Sequence, residues 1–410
     1  MSNIIEKIRV LFKFEKDEIP VGELLLVDKS IFFRFDSSFK KRKIELSPFK
    51  LKLNSETKKG NTTPFDGLFG VFADSLPDGW GRLLVDRALA AKGIDSNDFS
   101  MLDRLALVGK NGPGALIYQP YFETEIETDA LTELDQIAKA TKSILEGESS
   151  EIIDELFVLG GSSGGARPKI NVGFHSKKKH LISGAEILPK GYEHWIIKFP
   201  STFDPKDIAN IEFAYYLMAK EAKIEMSECR LFTGKSGRSY FGTKRFDRIG
   251  NNRLHLHSVA GLLEDDFRMS MLDYGHILDC AFKLEKKISA YDKVFRLACF
   301  NVFAHNKDDH SKNFAFIMNE KGDWKFAPAF DLTFSSSSHG LHSTMVAGES
   351  KQPTTFHLLE LANHFKIKNP EFIIEEVQKA ISHWPNHAKK AGVSTTSINR
   401  ISKALKNKKG

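Results

Sequence analysis

The side chains able to do chemistry crowd into Asn306-Lys307-Asp308-Asp309-His310-Ser311-Lys312-Asn313, with two carboxylates, an imidazole, two ammonium groups and two carboxamides. Asp308 precedes Asn313 by five residues. Kinases use that spacing to orient an attacking hydroxyl and to hold a metal ion. A second metal-binding aspartate is then expected at a turn after a strand pair, where Asp331 stands in Ala327-Pro328-Ala329-Phe330-Asp331-Leu332-Thr333. Mg²⁺ prefers oxygen ligands and keeps waters, which suits one Asp, one Asn and the phosphates of ATP.

Two further pieces lie upstream. The stretch Gly160-Gly161-Ser162-Ser163-Gly164-Gly165-Ala166-Arg167-Pro168-Lys169 has four glycines in its first six positions. Consecutive backbone N–H groups can there turn toward one anion, although a flexible hinge has the same composition. No Gly-Lys-Ser/Thr follows, so it is not a Walker A loop. Lys198 sits inside the apolar run Trp195-Ile196-Ile197-Lys198-Phe199 and must reach solvent or find a partner. It reads either as an edge-strand lysine or as a point charge for nucleotide phosphates. Each piece is common alone; the ordered set is not.

The elements that must position these residues follow from periodicity. Tyr291 to Ala304, with Val294, Phe295, Leu297, Ala298, Phe300, Val302 and Phe303, predicts a nearly all-round buried helix before the polar loop, and Phe314 to Met318 a strand after it. Ile8-Val10-Phe12-Phe14, Val21 to Val27 and Ile31-Phe33-Phe35 alternate as an antiparallel meander. Phe69, Phe72 and Leu76 predict a short helix, Pro77-Asp78-Gly79 a break, Trp80 to Ala91 a second helix stopped by Gly93, and Asn97 to Val108 a third. This first part carries no catalytic constellation and reads as a recognition or docking module. Helices at 130–145 and 152–159 lead into the glycine stretch. Strands at 169–174, 194–199, 230–233 and 240–246, with a helix at 209–222, complete a strand-rich lobe. Beyond Arg248 the pattern predicts helix to Leu405, broken only by the polar loop and the strand pair 314–318 and 324–326. The expected divisions are 1–122, 123–248 and 249–410.

Composition sets outer bounds. A chain of 410 residues with 41% apolar residues is globular and long enough for two or three domains. It has 33 phenylalanines beside 14 prolines, so burial of aromatic area should be substantial. No apolar run approaches a membrane span, and residues 1–14 lack the apolar core of a signal peptide. Cys229, Cys280 and Cys299 are isolated, which argues for a reducing, cytoplasmic setting and against a cysteine zinc site. The net charge of +6 is modest, and its clusters, Lys40 to Lys43, Lys58-Lys59, Lys177 to Lys179 and Lys403 to Lys409, read as solvated loop tips.

Together with Lys244-Arg245-Phe246-Asp247-Arg248 and the stretch Phe72-Ala73-Asp74-Ser75-Leu76-Pro77-Asp78-Gly79-Trp80-Gly81, these motifs resemble the HipA-type serine/threonine kinase toxins of bacterial toxin–antitoxin modules, over nearly the whole chain. The resemblance implies an α+β, bilobal protein-kinase-like fold, with a strand-rich N-lobe and a helical C-lobe behind a small α/β N-terminal domain. It implies Asp308 as catalytic base, Asn313 and Asp331 as Mg²⁺ ligands, and an ATP site of Ser162, Ser163, Gly164, Gly165, Ala166, Arg167, Lys169 and Lys198. Lys244 to Phe246 would form the hinge against adenine, chiefly through backbone groups. Ser162 or its neighbour Ser163 would be autophosphorylated, adding nearly two negative charges to the loop that cradles ATP and switching the kinase off. Glu212 reads as a surface glutamate, with pairing to Lys198 the alternative. The implied partners are a helix-turn-helix antitoxin of the HipB type, through it operator DNA, and a protein substrate, in the best-known case an aminoacyl-tRNA synthetase. The chain departs from ordinary protein kinases in having Asn306-Lys307 before the catalytic Asp, Leu332-Thr333 after Asp331, and no Ala-Pro-Glu segment. Competing readings are a metal-dependent hydrolase using His305, Asp308, Asp309 and His310, a small-molecule phosphotransferase, and a catalytically silent kinase-like partner of a DNA-binding regulator.

Overall fold

A computed structural model describes residues 5–14, 17–122, 133–148, 152–160, 164–337 and 340–406. Ser162 and Ser163, the autophosphorylation candidates, lie outside the described residues. The first sheet is antiparallel. Its strands β1 (Lys7–Lys13), β2 (Glu18–Val27), β3 (Ser30–Phe35), β4 (Lys58–Lys59) and β5 (Leu116–Gln119) run in the order β4-β3-β2-β1-β5. Ile8, Val10 and Phe12 alternate inward along β1, as period two requires. Helices α1 (Ser37–Lys41), α2 (Gly70–Ala73) and α4 (Met101–Val108) add Phe39, Phe72, Leu102 and Leu105 to the same core. Between them α3 (Gly79–Ala91) goes elsewhere, sending Trp80 and Leu84 into the core of the next lobe. The helix expected from Asn97 breaks. Ser96–Asp98 is a single 3₁₀ turn, and Ser100 restarts the chain as the N-cap of α4 in a reciprocal bond with Asp103.

The second sheet combines β6 (Lys169–His175), β7 (His180–Ser183), β8 (Glu193–Lys198), β9 (Cys229–Thr233) and β10 (Ser239–Lys244) in the order β7-β6-β8-β10-β9. β8 is therefore the central strand. Lys198 faces Lys169 on one side and Phe241 on the other, so the edge-strand reading of this lysine is wrong. Helices α5 (Leu134–Leu145), α6 (Ile153–Gly160) and α7 (Ile208–Glu221) accompany the sheet. Trp195, Phe174 and Phe232 form its aromatic centre, with edge-on ring pairs 5.0–5.7 Å apart.

The last lobe does not begin as helix. β11 (Arg248–Ile249) and β12 (Asn252–Arg253) form a hairpin, and β13 (His255–Ser258) pairs with β14 (Ala315–Met318), which pairs with β15 (Trp324–Phe326). The inward positions of β13 are the fully buried His255 and His257, so its alternation does not look apolar. Helices α8 (Val259–Leu263), α9 (Tyr274–Glu285), α10 (Ser289–Phe303), α11 (Thr355–His364), α12 (Pro370–Ser382), α13 (Trp384–Lys390) and α14 (Thr395–Lys406) build the remainder. No helix is long and apolar enough to cross a membrane among the described residues.

The first part does not stand apart from the lobes. One apolar cluster runs from Ile8 and Phe12 through Val259 and Tyr274 to Trp384. A buried polar seam follows the same boundary. Asp74 accepts from Ser258 N–H at 2.7 Å and lies 2.6 Å from His257 Nδ1, while His257 Nε2 meets Ser47 Oγ at 2.9 Å. This Ser–His–Asp order has no route to a substrate, because Ser47 is 1% and His257 0% exposed. It is a hydrogen-bonded joint. Asp247 accepts from Gly114 N–H, and Arg248 donates to the carbonyls of Gly112 and Gly114.

Candidate active site

Lys198, at the end of β8, is buried between two carboxylates. Its Nζ donates to Glu212 Oε2 at 2.9 Å and to Asp331 Oδ1 at 2.5 Å. Burial alone would lower the affinity of this amine for its proton, but Asp331 and Glu212 outweigh it and hold the ammonium above its ordinary pKa. Burial likewise acts to raise the Asp331 carboxyl, and Lys198 and Lys169, with Arg167 behind them, hold it well below the usual carboxylate range. Both groups are therefore charged at neutral pH. Asp331 itself takes φ +57°, a left-handed conformation that Asp tolerates better than most residues and that is enriched at functional sites.

Glu212 corrects the expectation from sequence. It is 4% exposed on the inner face of α7, not a surface glutamate. Its second oxygen accepts from Arg167 Nη1 at 2.9 Å, and Arg167 Nε and Nη2 each reach Asp204 at 3.0 Å. The Arg167 guanidinium is thus committed to protein carboxylates and stands behind the Lys198–Glu212 pair.

The described end of the glycine stretch curls back on itself. Lys169 Nζ donates to the carbonyl of Gly164 at 2.5 Å, and Gly165 takes φ +87°, open to glycine and poor for other residues. Gly164 and Ala166 are exposed. Burial pulls the Lys169 ammonium below its ordinary pKa, against the attraction of Asp331 and with the repulsion of Lys198. The Gly165 N–H donates to Asp78 Oδ1, so a residue of the first part reaches this loop. Sequence reasoning gave Asp78 no role.

In the polar loop, Asp308 keeps a 60% exposed side chain, with His310 Nε2 4.0 Å from its Oδ1. Burial of part of the group pushes the Asp308 carboxyl up; His310 opposes this and Asp331 adds to it. Asn313 Nδ2 donates to the Asp308 carbonyl at 2.7 Å, which shapes the loop and leaves the Asn313 Oδ1 for another partner. Asp309 turns the other way. It is 1% exposed, and accepts from Tyr274 OH at 2.9 Å and from Ser343 N–H at 2.8 Å, with His342 Nδ1 at 3.1 Å. His305 stacks on Phe334 at 5.0 Å. The four side chains of the hydrolase reading therefore do not converge, and no group of three or more His, Cys, Asp or Glu is placed to hold a metal ion among the described residues.

The hinge segment is partly engaged within the protein. Lys244 N–H donates to Glu228 O and Arg245 N–H to His194 O, each at 2.9 Å, while the Lys244 ammonium pairs with Glu193. Phe246 lies with its ring centroid 5.5 Å from that of Phe330, the residue before Asp331. The donor set fits the groups implied by the resemblance. Asp331 and Asn313 offer the carboxylate and carboxamide oxygens that Mg²⁺ prefers, and Lys198 and Lys169 offer cationic partners for phosphate.

A central-strand lysine paired with a helical glutamate, below a glycine loop and opposite an Asp–Asn loop, defines a bilobal protein-kinase-like fold. Residues 161–384 match the model of the HipA-like C-terminal domain and residues 15–119 that of the HipA N-terminal domain, so the chain belongs to the HipA family. The structure is similar to the HipA solved with HipB and operator DNA from Shewanella oneidensis MR-1, with a TM-score of 0.68 and 14% identity over 97% of this chain and 95% of that one. Among curated proteins it is 27% identical over 294 residues to a Sinorhizobium fredii protein whose name reads "Putative kinase Y4mE". That match covers 64% of this chain and 63% of the relative, less than two thirds of its length.

Proposed function

We propose that this chain is an ATP- and Mg²⁺-dependent protein serine/threonine kinase that acts as a growth-inhibiting toxin. The observation that carries the reading is the buried Lys198, bonded at once to Glu212 and to Asp331. A kinase needs that lysine to bind the α- and β-phosphates and that aspartate to bind a metal ion. Lys198 and Asp331 satisfy each other here, and bound ATP with Mg²⁺ would offer a phosphate oxygen to the first and a cation to the second. Asn313 and Asp331 would hold Mg²⁺, which would supply positive charge against the phosphates.

The remaining roles belong to the chain's own residues. Asp308, exposed at the front of the loop, orients the acceptor hydroxyl and takes its proton. Asn313 and Asp331 present oxygens to the metal ion. Lys169 and the backbone of Gly164 and Ala166 surround the phosphates, Gly165 keeps its N–H on Asp78, and Arg167 holds Glu212 in place from behind. Lys244 to Phe246 form the hinge against adenine, chiefly through backbone groups. Ser162 or Ser163 receives phosphate in a self-inactivating turn. The preferred substrate class is a translation-related protein such as an aminoacyl-tRNA synthetase. The partner is a HipB-type antitoxin, and the solved HipA–HipB–operator complex of similar fold supports that pairing.

The test is transfer of labelled phosphate from ATP with Mg²⁺ by the dephosphorylated protein, beside Asp308→Asn. Label on the wild type alone supports the reading. Equal label on both, or none on either, refutes it. Ser162→Ala and Ser163→Ala, analysed by peptide mass spectrometry, assign the modified serine. Co-purification with a helix-turn-helix protein encoded beside this chain tests the partner.

A further inference from the structure

The turn Asp78-Gly79-Trp80 belongs to the first part of the chain, yet it touches both halves of the site. On one side Asp78 Oδ1 accepts from the backbone N–H of Gly165 in the glycine loop. On the other, Asp78 Oδ2 accepts from Lys312 Nζ at 2.6 Å, one residue before Asn313 in the loop that carries Asp308. Trp80 N–H donates to Gly165 O at 3.0 Å, so the same turn grips Gly165 by both backbone groups. Gly79 allows this approach: it takes φ +45°, and a Cβ there would lie 2.7 Å from Gly165 O. Lys312 has a second tether, its ammonium standing 4.6 Å from the Phe267 ring centroid.

We propose that Asp78 is a positioning residue for phosphoryl transfer, a brace that sets the glycine loop at a fixed height above the Asp308–Asn313 loop. This rests on the kinase reading. The alternative is a gate, with the Asp78 carboxylate occupying a phosphate position and swinging away when nucleotide enters. The anchoring of the turn favours the brace. Trp80 is 1% exposed and packs with Leu84, Ile170 and Ile197 in the core of the strand-rich lobe, which anchors the backbone of the turn, and each Asp78 carboxylate oxygen has its own donor, which holds the side chain. Burial would push the Asp78 carboxyl up, but Lys312, the Gly165 amide and Lys169 keep it below the usual carboxylate range, so it stays charged. In kinase chemistry catalysis is mostly alignment of phosphate, metal and hydroxyl, and the two loops aligned here are the ones that hold them.

The test compares wild type, Asp78→Asn, Lys312→Gln and the double variant in steady-state phosphotransfer. Alongside, amide hydrogen exchange is followed in the peptide carrying Gly165. Asp78→Asn keeps an acceptor for Gly165 N–H and removes the charge that holds Lys312. The brace predicts that each single variant loses roughly 10- to 100-fold in kcat/KM, through a raised KM for ATP together with a lowered kcat. Loss of folded protein would lower the apparent kcat alone. The double variant should be no worse than the worse single by more than about twofold, because both break one contact. Exchange at the Gly165 peptide should speed up in both singles.

Wild-type kinetics in either single variant, or losses that multiply in the double, overturn the proposal. So does tighter nucleotide binding by Asp78→Asn, which is the signature of a gate. If wild type transfers no phosphate while exchange still speeds up in the variants, the kinase reading fails and the mechanical link stands. Should Asp78→Asn fail to fold, Lys312→Gln breaks the same pair from a loop side chain, and its KM and kcat decide.

Discussion

Glu212 Oε2 accepts a hydrogen bond from Lys198 Nζ across 2.9 Å, inside a site where both side chains are nearly closed to water. Removing Glu212 leaves Lys198 with Asp331 alone and Arg167 with Asp204 alone, so two buried cations each lose one acceptor. We expect Glu212→Ala to cost about 1–3 kcal/mol of stability, the penalty for buried donors that lose a partner. Equilibrium unfolding in urea measures it. Phosphotransfer by Glu212→Gln, which keeps the shape, should fall well below wild type. An unchanged rate would show that the pair only supports the fold.

Asp309 tests the inner face of the polar loop. Its carboxylate accepts from the Tyr274 hydroxyl and from the N–H groups of Ser343 and Thr344. Asp309→Ala strands several buried donors, each worth about 1–3 kcal/mol when left unpaired. The expected result is a marked fall in melting temperature and lost phosphotransfer, without the raised KM for ATP predicted for Asp78→Asn. Calorimetry and nucleotide titration separate the two.

Asp247 makes the joint with the first part pH-sensitive. Burial would raise its carboxyl, but Arg245 and Arg248 hold it far below its ordinary value. A depressed carboxyl contributes stability that is fully present above its unfolded pKa, near 3.8, and is lost as pH falls toward the folded value. Asp247→Asn should therefore be much less stable than wild type at neutral pH, with the gap narrowing only as solutions approach about pH 3. Melting curves across that range check the sign. A gap that is constant with pH would contradict it.

Trp80 offers a packing test. It is 1% exposed and fills the core of a lobe to which its own helix does not belong in sequence. Trp80→Ala should cost about 3–5 kcal/mol. Urea unfolding provides the measurement, and a loss below about 1 kcal/mol would mean that the lobe closes over the cavity.

Much of the layout was readable from residue pattern. Alternation placed β1 to β3, β6 and β8, and Lys198 meets Asp331 directly, while Asp78 joins Gly165 to Lys312 of the polar loop. The misses share a cause, which is polar residues standing where apolar ones are the usual signal. His255 and His257 hid β13, and Ser100 with Asp103 hid a helix start inside a run that otherwise looked continuous. Glu212 had a usable signal. It falls on the stripe of Ile208, Ile211, Tyr215 and Ala219, and a charge on a buried stripe needs a buried partner. Asp78 had none, because its partners are 87 and 234 residues away in the chain.

The polar seam between the first part and the lobes bears on how the chain can be dissected genetically. Arg248 donates to carbonyls of Gly112 and Gly114, Arg253 to that of Lys110, and His257 sits against Asp74. A truncation that removes those partners leaves Arg248 to Asp247 and Arg253 to Glu186, takes Asp74 from the His257 imidazole, and opens to water a surface built to exclude it. Its lack of activity would record a collapsed lobe and say nothing about recognition. Single substitutions on the outer face of the first sheet, away from this seam, are the ones whose phenotypes can be attributed to a partner.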